Sequence, residues 1–97
     1  MNIGNAIKEL RKQEGLSQVE LAKNVNITQA ALSKIESGNR PNQTTLVKLS
    51  AALKVPEALI YIMATEEGDI PKDKKELYND LFPVIKSLII KIATKNN

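Results

Sequence analysis

In the stretch NITQAALSKIESGNRPN, Asn26 to Asn42, the side chains of Gln29, Ala30, Ser33, Lys34 and Ser37 fall on one side of a short helical pattern. Together they offer an amide, a methyl group, two hydroxyls and an ammonium. A helix that merely faces water is usually filled with Glu and Lys pairs. This surface instead donates and accepts hydrogen bonds beside a small apolar contact, which is the chemistry of touching something specific. The opposite side, Leu32 and Ile35, is ordinary core. Thr28 opens the helix as a cap, and Gly38 closes it.

Composition narrows what that surface serves. The chain has no Cys, which excludes disulfides, thiol catalysis and Cys-based zinc, and no His, the commonest metal ligand and usual general base. Ser, Lys and carboxylate catalysis stay formally open, but no clustered carboxylate motif supports them. Glu66, Glu67 and Asp69 read as solvated linker charge. No metal and no cofactor is expected. No run approaches the roughly 20 apolar residues of a membrane span, and MNIGNAIKELRK alternates polar and apolar residues, unlike a signal peptide. A soluble, cytoplasmic protein is the expectation. The net charge is +3. Residues 1–65 hold 8 basic and 5 acidic side chains, whereas 66–97 hold 6 of each, so the excess sits on the first part. That is a modest hint of a polyanionic partner, and on charge alone a plain solvated basic surface fits as well.

The elements that hold the surface follow from periodicity. Ile3, Ile7 and Leu10 mark a first helix, stopped at Gly15. Ser17 and Glu20 form a capping box for a second, whose Val19, Ala22 and Val25, with Leu21, make a broad apolar face. Asn26 sits where the chain must reverse, and Asn tolerates positive φ. Asn42 caps a fourth helix, Gln43 to Leu53, buried through Leu46, Leu49 and Leu53. Pro56 suits the start of a fifth, through Leu59, Ile60 and Met63. With aromatics at only 3%, the core must be aliphatic. The fold class is all-α, and two short helices about a tight turn make a helix-turn-helix. Ala22 lies where those helices cross.

The motifs LSQxELA, ITQxxLSKIExG, R-P and LxKLxxAL, over roughly residues 3–64, resemble the Cro/repressor, or XRE, helix-turn-helix family. One departure is Asn26, where the family usually has Gly. The resemblance implies a five-helix, lambda-repressor-like DNA-binding domain over 1–65, with Gln29 to Glu36 as the recognition helix in the major groove of double-stranded DNA. On that basis Gln29, Ala30, Ser33 and Lys34 are candidate base readers. An amide pairs with adenine N6 and N7, a methyl meets a thymine methyl, and a lysine donates to guanine O6 and N7. Gln18, Asn39, Arg40 and Gln43 are candidate backbone contacts. Arg11 and Glu36 match positions that often form a structural salt bridge.

Residues 66–72 read as a linker and 73–97 as a C-terminal helix. Tyr78, Leu81, Ile85, Leu88 and Ile92 are spaced three, four, three and four apart, a heptad seam widened by Leu77, Val84 and Ile89. The seam either folds back on its own domain or pairs with another subunit as a dimerisation element. Lys86, Lys91 and Lys95 suit solvent and the helix C-terminus. Pro83 implies a kinked or two-part helix. The leading functional reading is a sequence-specific transcriptional regulator, a repressor binding a pseudo-palindromic operator as a homodimer. The alternative is an interaction module or antitoxin whose apolar C-terminal helix binds a partner protein.

Overall fold

The computed structural model describes residues 1–94, and every regular element among them is helical. In chain order these are α1 (Ile3–Gln13), α2 (Gln18–Asn24), α3 (Gln29–Glu36), α4 (Gln43–Leu53), α5 (Glu57–Ala64) and α6 (Lys75–Thr94). Two 3-10 turns, Glu67–Asp69 and Lys72–Lys74, lie between α5 and α6.

Side-chain caps set four of the starts. Asn2, Ser17, Thr28 and Asn42 each accept a hydrogen bond from a backbone N–H three residues on. Glu20 completes the box at α2 by accepting from the Ser17 N–H at 2.8 Å. Gly15 (φ 74°) ends the first helical segment, and Asn26 (φ 59°) makes the reversal between α2 and α3 in the left-handed region. Lys54 (φ 60°) does the same at the end of α4.

The core is aliphatic. Ile7, Leu10, Leu21, Leu32, Leu46, Leu49, Leu53 and Ile60 are fully buried in one cluster that α1–α5 share. Val19 is not in it: the side chain is 56% exposed, so the apolar face of α2 is narrower than its spacing implied. Steps of three residues drift by about 60° each on a 3.6-residue helix. Counting back from Val25 through Ala22 therefore carries Val19 off the buried face. Gly4 lies buried in α1 where the backbone of α3 passes, and a Cβ there would fall 1.9 Å from the Ile35 carbonyl oxygen. The absence of a side chain lets the two helices meet.

α6 is one helix through Pro83, so the two-part reading does not hold. It packs back on α1 and α5 through Ile89 and Ala93, both buried. Lys86 Nζ pairs with Glu9 Oε1 at 2.9 Å. Tyr78, read with the seam, belongs to this fold-back contact too. Its hydroxyl donates to the Thr65 carbonyl at 2.8 Å, and its ring stacks on Phe82 at 4.9 Å. Leu81, Ile85, Leu88 and Ile92 stay exposed, joined by Leu77 and Val84. The segment ahead of α6 is held as well: Asn79 Nδ2 donates to Glu67 Oε2 at 3.1 Å, and Asp69 Oδ2 accepts from the Glu66 N–H at 2.8 Å. Lys95 lies outside the described residues.

Candidate nucleic-acid interface

The floor of the interface is an ion pair. Arg11 on α1 and Glu36 at the end of α3 meet in a bidentate contact, Nε to Oε2 at 2.7 Å and Nη2 to Oε1 at 3.0 Å. Arg11 Nη1 also donates to the Leu16 carbonyl at 2.7 Å. Both side chains are over nine-tenths buried. Burial alone would raise the Glu36 pKa. Hydrogen bonds from Arg11 and Gln18, with the charges of Arg11 and Lys8, outweigh it and hold the carboxyl below its ordinary range.

The contact extends outward in a chain. Gln18 Nε2 donates to Glu36 Oε1 at 3.0 Å, and Gln18 Oε1 accepts a long hydrogen bond from Gln29 Nε2 at 3.4 Å. The exposed amide at the start of α3 is thereby tied to the buried pair beneath. One amide N–H and the carbonyl oxygen of Gln29 are left to face outward. Ala30, Ser33 and Lys34 are exposed beside it on α3. Ser37 is less available, because its hydroxyl donates to the Lys34 carbonyl at 3.0 Å.

After α3 the loop turns at Gly38 and leaves Asn39 and Arg40 exposed. The Arg40 guanidinium lies 5.9 Å from the centroid of the Tyr61 ring on α5, within cation–π range. Gln43 Nε2 donates to Glu57 Oε1 at 2.7 Å. The four candidate base readers thus share the outer face of one helix, while Gln18, Asn39, Arg40 and Gln43 flank it on α2, the loop and the start of α4. No group of Asp and Glu among the described residues is arranged to hold a metal ion. No described helix is long and apolar enough to cross a membrane.

Comparison with known proteins identifies the family. Residues 7–60, more than half of the chain, match the family model described as Helix-turn-helix. The chain belongs to the XRE-type helix-turn-helix family of DNA-binding transcriptional regulators. It is 30% identical to an uncharacterized HTH-type transcriptional regulator, RghRB, of Bacillus subtilis (strain 168), over 93% of this chain and 68% of that protein. It is 32% identical to the immunity repressor protein of Bacillus phage phi105, over 84% of this chain and 65% of the repressor. Antitoxin HipB of Escherichia coli (strain K12) is 48% identical over 45% of this chain and 48% of its own length. The chain thus spans about two thirds of the first two relatives and about half of the antitoxin. No solved structure matches it at comparable significance.

Within this XRE-type domain, three features were not read from the sequence. Gln18 was taken only as a backbone contact, yet both ends of its amide are engaged inside the protein. Tyr61 was given no role, yet its ring lies beneath the Arg40 guanidinium. Gly4 was passed over, although a glycine inside an apolar helical pattern is itself a sign of close approach.

Proposed function

We propose that this protein is a transcriptional repressor that binds a pseudo-palindromic operator as a homodimer, one α3 helix to each half-site. The observation that carries the reading is the outer face of α3: an amide, a methyl, a hydroxyl and an ammonium, all exposed on a helix whose inner face is fixed by Leu32, Ile35 and Glu36. Gln29 pairs bidentate with adenine, Ala30 meets a thymine methyl, Lys34 donates to guanine O6 and N7, and Ser33 serves either kind of group. Asn39, Arg40 and Gln43 grip the phosphate backbone and set the register, and Gln18 joins them through the backbone N–H groups at the start of α2, since its side-chain amide is engaged. A dimer places its two readers about 34 Å apart, one turn of the duplex. Repression is supported by the phage phi105 relative, an immunity repressor, and occlusion of polymerase is its simplest mechanism. A DNA target implies work in the cytoplasm, and the reading requires no cofactor.

A second reading has one observation of its own. The apolar outer face of α6, together with the similarity to an antitoxin, favours a protein partner in addition to DNA. Selection of bound DNA from a random duplex library near physiological salt tests the first reading. A pseudo-palindrome with half-site centres about 10 base pairs apart is the expected product. Recovery of no common sequence by the folded protein would contradict it and favour the second.

A further inference from the structure

α6 meets its own domain along one flank only. Ile89 and Ala93 are buried there, Tyr78 and Phe82 are half-buried, and Lys86 pairs with Glu9. At about 100° per residue, these positions lie to one side of a stripe made by Leu77, Leu81, Val84, Ile85, Leu88 and Ile92. Each of the six is between 41% and 60% exposed. On the other side of the stripe lie Asp80 and Lys91, both exposed. The steps along the stripe are four, three, one, three and four residues, the same from either end.

We propose that this stripe is a self-complementary seam: two copies of the chain pair through α6 in antiparallel orientation, with the two-fold axis crossing between Val84 and Ile85. The proposal rests on the homodimer reading above and supplies its geometry. In this register Leu77 meets Ile92 of the partner subunit, Leu81 meets Leu88 of the partner subunit, and Val84 meets Ile85 of the partner subunit. The charges agree with the direction. Asp80 lies on the same flank as Lys91 of the partner subunit, offset by roughly 3 Å along the axis at 1.5 Å per residue. Symmetry makes this contact twice.

The placement of the domains supports the same direction. A two-fold axis perpendicular to both helices keeps like flanks together. The flank that carries Ile89 and Ala93 therefore faces the same way in both copies, and both globular domains stand on one side of the helix pair. A single duplex is then within reach of both α3 helices. In a parallel pair the flanks alternate, and the domains stand on opposite sides.

The chain has no Cys, so single cysteines report the register directly. Under mild oxidation Val84→Cys links to itself near the axis. Leu77→Cys does not, because its two copies lie roughly 22 Å apart along the axis, far beyond the ~7 Å Cα limit of a disulfide. A mixture of Leu77→Cys and Ile92→Cys chains gives a crossed product. Asp80→Lys or Lys91→Asp alone weakens the dimer roughly fivefold, and the two together restore it. Self-linking of Leu77→Cys without the crossed product would overturn the antiparallel register while leaving the homodimer standing. Sedimentation of the unmodified chain as a monomer at the cross-linking concentration would overturn both. Neither result touches the reading of bases by α3, which DNA selection measures separately.

Discussion

At Glu36, three hydrogen bonds and a buried guanidinium meet one carboxylate. Its replacement by Ala leaves the buried Arg11 charge without a counter-ion, with only the Leu16 carbonyl to accept from it, a loss of about 3–5 kcal/mol in denaturant unfolding. Because the pairing depresses the Glu36 pKa, its contribution is complete above the ordinary value of 4.5 and is lost as pH falls through the folded value. Wild-type stability should therefore fall more steeply than that of Glu36→Gln as the pH drops below about 4.5; parallel curves would show that the pair is not the cause. The exposed residues divide differently. Arg40→Ala should weaken DNA binding evenly across sequences and flatten its salt dependence. Lys34→Ala should cost about 1–3 kcal/mol on the preferred sequence and little on others. Equal behaviour of the two would undo the division into readers and clamps. The outward set on α3 was legible because its residue types are unusual for a solvated helix. The roles of Gln18 and Tyr61 were not, since both depend on contacts between α2, α3, α5 and the loop at Arg40 that no local pattern records.

Among the elements, helix starts were legible where a short polar side chain caps its own backbone. Ser17, Thr28 and Asn42 each do this within four residues of sequence. Burial was less so. Val19 follows the same spacing as its buried neighbours, yet angular drift places it in solvent. The close approach of α1 and α3 at Gly4 gives a sharp test. Gly4→Ala adds helix propensity but pushes a methyl group against the Ile35 carbonyl, so stability should fall by about 1–3 kcal/mol. An unchanged or raised melting temperature would mean that α1 shifts freely and that the contact does not fix the angle of α3. Pro83 shows the limit of a local rule: the sequence warned of a break, and the helix continues from Lys75 to Thr94 across it. Its lost hydrogen bond falls in a helix anchored at both ends, by Tyr78 before it and by Ile89 and Ala93 after it.

For the whole molecule, the all-helical class was plain from aliphatic periodicity and the scarcity of aromatics. The disposition of α6 was not, because its apolar residues encircle more of the helix than one neighbour covers. One flank closes on α1 and α5, and the other stays exposed. Leu88→Asp should leave the fold of the globular part intact, by unchanged helicity, and halve the sedimenting mass. A mass that does not change would remove α6 from the dimer interface. The same change should weaken binding to a two-half-site duplex far more than to a single half-site. The proposed function depends on α3 reading base edges. DNA selection run side by side for the wild-type protein and Gln29→Ala decides whether it does. One consensus is expected from the wild type, and from Gln29→Ala the same consensus with preference lost at a single adenine in each half-site. An identical consensus from both proteins would contradict it.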